Sequence, residues 1–309
     1  MDSIAAVFPG QGSQYVGMGQ DLAEAFPSAR EAFERADEVL GFSLSRLCWE
    51  GPEEELTRTQ NAQPAILVHS LAAWSTLKDE IAPRVKYTAG HSLGEFSAYT
   101  AAGSLEFEEA VRLVRRRGEL MAGASAGTMS AVVGLDPSVV ERICADVSSE
   151  GGIVVAANYN SPQQLVISGE VEAVERAGAR AKEAGAKMVR PLAVSGAFHS
   201  PLMADAESGL RAELDSLEFV DPEFPIVSNV TAEPVADADT ARRTLVSQLT
   251  SPVRWTQDIQ RIADEGVVNF VEIGPGKVLT GLLRRIDRGL GGMEIGKPED
   301  VERFREGPS

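Results

Sequence analysis

Positive charge is scarce in this 309-residue chain: 29 lysines and arginines stand against 46 aspartates and glutamates, a formal net charge of -17. A field of that sign repels phosphates, which excludes nucleic acid and anionic membrane surfaces as partners. Cysteine is scarce too. Cys48 and Cys144 provide neither a disulfide framework nor metal-ligand spacing, so both read as small buried hydrophobes in a reducing compartment and no metal is expected. No apolar run reaches membrane-spanning length, and Met1-Asp2-Ser3-Ile4 lacks the basic start of a signal peptide. Histidine occurs three times, which narrows any search for a general base to His69, His91 and His199. What is abundant is ordinary: 43% apolar and 24% charged residues describe a globular, cytoplasmic enzyme or binding protein with room for a sizeable core.

Gly90-His91-Ser92-Leu93-Gly94 has the Gly-x-Ser-x-Gly form of a strained strand-to-helix turn that lifts a serine hydroxyl clear of a sheet. Val85 to Ala89 predicts the strand before it, and Glu95 to Ala102, closed by Gly103, the short helix after it. Ile4 to Phe8 predicts a buried parallel strand feeding the loop Pro9-Gly10-Gln11-Gly12-Ser13-Gln14. A dinucleotide reading of that loop fails, because Tyr15 stands where a third glycine belongs and no phosphate-loop lysine follows. Small loop residues still let backbone N–H groups approach an anion.

Apolar spacing predicts one amphipathic helix from Asp21 to Leu40, ended by Gly41, and a second after Gln63 with Pro64 in its first turn. His69, within the second, reads as a packed or solvent-tipped residue rather than a catalyst. A helix from about Leu105 to Ala122 carries Arg112, Arg115 and Arg116, read as a solvated face, and Arg117, which differs. Its neighbours three and four positions away are Leu113, Val114, Leu120 and Met121, so its guanidinium emerges on the inward side and should either snorkel out or meet an anion there. From Thr128 to Val194 the order βαββαβ, with Asp136 capping the first helix, is that of a ferredoxin-like unit. The chain is therefore expected to hold a large discontinuous α/β-hydrolase-like domain with a parallel sheet, residues 1–127 and 195–309, and an inserted small domain, residues 128–194. From Asp287 onward, glycine and charge suggest a loosely held tail.

A serine hydroxyl is a weak nucleophile unless a base takes its proton. His91 adjoins Ser92, but neighbouring side chains on a sharp turn point apart, which leaves His199 in Gly196-Ala197-Phe198-His199-Ser200-Pro201. No acidic residue stands out as its partner, so a backbone carbonyl is the expected orienting group. The backbone N–H groups of Leu93 and Gln11 are the candidates for an oxyanion hole.

Phe8 to Gln14, Gly90 to Glu95, Arg117-Gly118, Asn158-Tyr159-Asn160-Ser161-Pro162-Gln163 and Gly196 to Pro201 together resemble the malonyl-CoA:acyl carrier protein transacylases of fatty-acid synthesis, in family order over residues 4 to about 286. The resemblance implies that Ser92 is acylated by a malonyl thioester, with His199 as base and then acid, and that Arg117 pairs with the malonyl carboxylate. It implies that Gln248 orients His199 through its backbone carbonyl, and that His91, Met121, Asn158 and Phe198 line the acyl pocket, the ring of Phe198 excluding an α-methyl. Malonyl-CoA and holo acyl carrier protein would be the substrates, with no cofactor, acting on a monomer. Arg112, Arg115, Arg116, Lys182 and Lys187 are candidates for a local basic patch that meets the acidic carrier. A serine hydrolase of the same fold (thioesterase or esterase), a polyketide-pathway acyltransferase and a non-catalytic scaffold are the alternatives.

Overall fold

The computed structural model describes residues 3–124, 126–194 and 196–306. Its strands are β1 (Ile4–Phe8), β2 (Val85–Gly90), β3 (Thr128–Val133), β4 (Val154–Ser161), β5 (Gln164–Gly169), β6 (Met188–Pro191), β7 (Ile226–Val227), β8 (Pro234–Val235), β9 (Asn269–Ile273) and β10 (Gly291–Ile295). Six form one sheet in the order β10-β9-β1-β2-β7-β8, parallel except for the final β7–β8 pair. β1 lies at its centre with all five residues buried, as a continuous apolar run in a sheet covered on both faces requires. The other four form an antiparallel sheet in the order β4-β5-β3-β6, the ferredoxin-like arrangement.

Side-chain alternation gives the small sheet two jobs. Val132, Leu165 and Ile167 pack with Val140, Ile143 and Val174 of the helices Pro137–Ser149 and Val171–Glu183. Met129, Ala131 and Val166 face the other way and join the main core. Asp136 caps the first of these helices, its Oδ1 accepting from Ser138 N–H at 2.9 Å.

Three local expectations change. The helix expected over Asp21–Leu40 is two, Gln20–Ala25 and Pro27–Leu40, with Phe26 extended between them because the residue before a proline avoids helical geometry. The helix expected to start after Gln63 starts at Thr59, with Pro64 inside it. Proline offers no N–H to the carbonyl of Gln60 four residues back, and Arg115 Nη1 donates to that oxygen instead at 3.1 Å and to Asn61 Oδ1 at 2.7 Å. Arg115 is thus a half-buried structural residue rather than part of a solvated face. Arg115 and Arg116 are further engaged by Glu119, and Arg116 by Glu213. The last strand of the small sheet ends at Pro191, where Val194 N–H bonds back to Leu192 O.

The segment from Asp287 is an ordered part of the core, not a tail. β10 extends the parallel sheet beyond β9, and the helix Pro298–Glu306 follows. Ile295 and Val301 are fully buried, Asp300 Oδ2 accepts from Gly296 N–H and Lys297 N–H, and Arg305 pairs with Glu80. His69 is the anchor on the opposite side: it is fully buried, its Nε2 lies 3.1 Å from Gly296 O, and burial lowers its pKa to about 4. Ile295→Ala is therefore expected to cost about 3 kcal/mol in urea unfolding, the scale of a core truncation. A cost below about 0.5 kcal/mol, the scale of a surface change, would show that the segment is held loosely.

Candidate active site

β2 leads through Gly90 and His91 to Ser92, and the helix Leu93–Ala101 starts immediately after it. Ser92 sits at φ 53°, ψ -103°, a backbone conformation costing of order 1–3 kcal/mol that must be held by its surroundings. Two glycines make room for it. A Cβ on Gly90 would lie 1.9 Å from Gly94 C, and one on Gly94 would lie 2.0 Å from Phe8 O. Asn229, just beyond β7, supplies the clamp: its Oδ1 accepts from Ser92 N–H at 2.8 Å and its Nδ2 donates to Gly90 O and to Asp258 Oδ2, both at 2.8 Å. The turn thus holds Ser92 Oγ at the mouth of a helix N-terminus. Among the described residues the N–H groups of Leu93 and Gln11 donate to no protein acceptor.

Ser92 Oγ lies 2.8 Å from His199 Nε2. On the far side of the ring, Nδ1 faces two carbonyls, Gln248 O at 2.9 Å and Ser251 O at 3.2 Å. Carbonyls only accept, so Nδ1 carries the proton and Nε2 presents its lone pair to the serine. Burial first, then the charge of Arg117, lowers His199 to about 3. The imidazole is therefore neutral near pH 7 and able to take a proton.

Arg117, on the helix Phe107–Gly123, is 1% exposed. Its Nη1 donates to Gln63 Oε1 at 2.7 Å, and its Nη2 to Gln248 Oε1 at 2.8 Å and Ser92 Oγ at 3.2 Å, with Cζ 5.2 Å from the Phe96 ring centroid. Burial lowers its pKa to about 9, against the opposing effect of Glu95, so it stays charged at neutral pH. Among the described residues no carboxylate forms an ion pair with it. Neutral amide oxygens hold the guanidinium in place and leave no carboxylate of the described residues in contact with it beside the serine.

These groups open into a cavity of about 760 Å³. Ser92, Leu93, Gln11, His91, Arg117, Met121, Asn158, Phe198 and His199 all line it, while Gln248 is buried behind. His91 turns away from the serine as expected: its Nε2 is 2.8 Å from Asn160 Oδ1 and its ring lies 5.7 Å from that of Trp255. Met129 and Val166 of the small sheet close the apolar wall, and the exposed Arg190 stands at the rim. Among the described residues no group of three or more His, Cys, Asp or Glu is placed to hold a metal ion.

Sequence reasoning missed Asn229, Gln63, Glu95 and Asp258. Gln63 precedes Pro64 and reads from the sequence only as a helix boundary. Glu95 was visible one residue past the serine motif, but nothing local shows that a charged residue there points inward.

The family profile described as the acyl transferase domain matches residues 6–292. A malonyl CoA-acyl carrier protein transacylase of Bacillus subtilis is 46% identical over 306 residues, covering 98% of this chain and 96% of its own. One from Escherichia coli K12 is 44% identical over 301 residues, covering 96% and 97%. Among solved structures, a malonyl-transacylase in complex with a holo type II polyketide acyl-carrier protein superposes with a TM-score of 0.96 at 44% identity, covering 99% of this chain and 100% of its own. The transacylase of Coxiella burnetii superposes with a TM-score of 0.94 at 39% identity, covering 97% and 96%.

Removing the Arg117 charge removes one of the three effects, with burial and His91, that lower the His199 pKa. Arg117→Gln is expected to raise the imidazole pKa, so that the rate of Ser92 modification by a neutral fluorophosphonate falls off on the acid side at higher pH than in the parent. An acid limb that stays in place would show that Arg117 does not set the base.

Proposed function

The chain belongs to the acyl transferase domain family, and on that premise we infer that it moves a malonyl group from malonyl-CoA through Ser92 to the phosphopantetheine thiol of an acyl carrier protein. The observation that carries this reading is Arg117: a buried cation that no carboxylate among the described residues touches, 3.2 Å from the serine hydroxyl, fits an acyl group that brings its own carboxylate.

In the first half-reaction the malonyl carboxylate meets the guanidinium, which the amide oxygens of Gln63 and Gln248 hold in a fixed plane. This sets the thioester carbonyl against Ser92 Oγ. The serine proton passes to His199 Nε2 as Oγ bonds to the carbonyl carbon, and the oxyanion is received by the N–H groups of Leu93 and Gln11. Collapse breaks the C–S bond, and the departing coenzyme A sulfur takes the proton from His199. The carrier thiol then gives its proton to the same nitrogen and attacks the serine ester, and Ser92 leaves reprotonated. Gln248 and Ser251, accepting from Nδ1 in place of a carboxylate, keep the tautomer correct throughout. No cofactor takes part in these steps.

Met121, His91, Asn158 and Phe198 surround the acyl group in this reading, and the Phe198 ring takes the space that an α-methyl would need. The unit 128–194 and the larger one formed by 1–127 and 195–309 share the cleft between them. A single chain supplies every group, which fits a monomer, and two unpaired buried cysteines fit a reducing, cytoplasmic setting. A polyketide carrier is the second reading for the acceptor, favoured by the likeness to the transacylase solved with such a carrier.

Incubation with malonyl-CoA is expected to add one malonyl group to Ser92, seen by intact mass and located by peptide fragmentation, and holo acyl carrier protein should discharge it onto its own thiol. Ser92→Ala should form no adduct and lose on the order of 10³-fold or more in transfer. No adduct in the parent would contradict the transfer reading, and discharge to water in the presence of holo carrier would make the chain a hydrolase.

A further inference from the structure

Behind the Ser92–His199 pair lies a layer of buried charge that the transfer steps do not use. Glu95, in the first turn of the helix Leu93–Ala101, is fully buried. Its Oε2 accepts from Gln248 Nε2 at 2.6 Å and from Asn229 N–H at 3.4 Å. Its Oε1 makes no hydrogen bond of ordinary geometry among the described residues, so it is the oxygen that can carry a proton without disturbing those bonds.

Gln248 connects this carboxyl to the site. Its side-chain nitrogen faces Glu95, its side-chain oxygen accepts from Arg117 Nη2, and its backbone oxygen faces His199 Nδ1. One amide therefore spans an anion and a cation, and only one of its two orientations suits both. Four sides close around Glu95. The helix Phe107–Gly123 contributes Arg117, whose charge favours the ionised form. The helix Trp255–Asp264 contributes Asp258, reached through Asn229 Nδ2, whose carboxyl is pushed well above its usual range by burial and by Glu95 itself. Tyr99, on the same helix as Glu95, is held neutral by burial and by the same carboxylate. Gln248, the Asn229 N–H and the Ser228 hydroxyl are uncharged. The net result of burial against these partners is a Glu95 carboxyl raised to about 7, with Arg117 as the cation that favours its ionised form.

We propose that Glu95 is the resident counter-ion of Arg117 and the positioning residue for Gln248, and that it takes up a proton from solvent when the carboxylate of the acyl group occupies Arg117. The proposal rests on the malonyl-transfer reading. Two carboxylates around one buried guanidinium leave the site with net negative charge, and the like charge drives a proton onto the weaker-held of the two. The incoming carboxylate keeps Arg117, and Glu95 Oε1 receives the proton. In the empty site Glu95 is increasingly ionised above neutrality, so malonyl loading consumes a proton there. The KM for malonyl-CoA then rises with pH by up to tenfold per unit, while acetyl-CoA, which brings no carboxylate, shows no such rise.

The test compares malonyl-CoA and acetyl-CoA between pH 6 and 8, below the range in which Arg117 itself loses its charge, in the parent and in Glu95→Gln, whose amide oxygen still accepts from Gln248 but cannot titrate. The expected result is a rising KM for malonyl-CoA in the parent and a flat one in Glu95→Gln. Parallel slopes in the two proteins, or the same slope with acetyl-CoA, would overturn the proposal. Should Glu95→Gln not fold, proton uptake on stoichiometric malonyl loading of the parent, read with an indicator dye in weak buffer at pH 8, gives the answer: uptake that approaches one proton per adduct is expected, and none overturns it. Where Glu95→Gln does fold, uptake that persists in it belongs to another group and overturns the assignment. Absence of the Ser92 adduct itself would instead be a failure of the transfer reading.

Discussion

A buried guanidinium that touches no carboxylate among the described residues is the constraint on which the rest of the site depends. Leaving such a charge unpaired costs several kcal/mol after the surroundings relax, so the fold must hold Arg117 by other means. It does so with the amide oxygens of Gln63 and Gln248, the face of Phe96, and Glu95 one amide further away. A direct carboxylate would stabilise Arg117 better and would also fill the place of the substrate. Compensation at one remove keeps the cation present but available. Burial first, and then the same charge, lowers the His199 pKa, so in the proposed reading one residue both selects the acyl group and helps to keep the base neutral.

The second constraint is backbone geometry at Ser92. Its left-handed conformation is held because β1, β2 and the following helix approach more closely at Gly90 and Gly94 than a Cβ would allow, and because Asn229 binds both flanks of the turn. Asn229 also touches the Glu95 carboxyl and Asp258. The strained turn and the charge layer are therefore parts of one hydrogen-bonded body, packed beneath the serine.

Much of this was legible in the residues. The serine turn follows from glycine spacing, the inward direction of Arg117 from its helical neighbours, and the small unit from its element order. What was not legible depends on long-range contacts. Asn229 lies 137 positions from Ser92, and no periodicity announces an asparagine that bonds a distant turn. Glu95 reads as a favourable acidic residue in a helix's first turn, and only the packing of Gln248 above it reveals a buried carboxyl. Pro64 looked like a helix start because its lost hydrogen bond is repaired by Arg115, which comes from another helix. The glycine- and charge-rich end looked loose because the partners that order it, His69 and Glu80, sit more than two hundred positions earlier.

The central claim, that Arg117 makes the pocket select a carboxylated acyl group, is tested most directly by the ratio of kcat/KM for malonyl-CoA to that for acetyl-CoA in the parent and in Arg117→Ala. Loss of a desolvated charge pair predicts that the ratio collapses by about 10²- to 10³-fold, with malonyl-CoA carrying the loss. A ratio that survives the substitution, with both substrates slowed alike, would contradict the account and make Arg117 a structural cation.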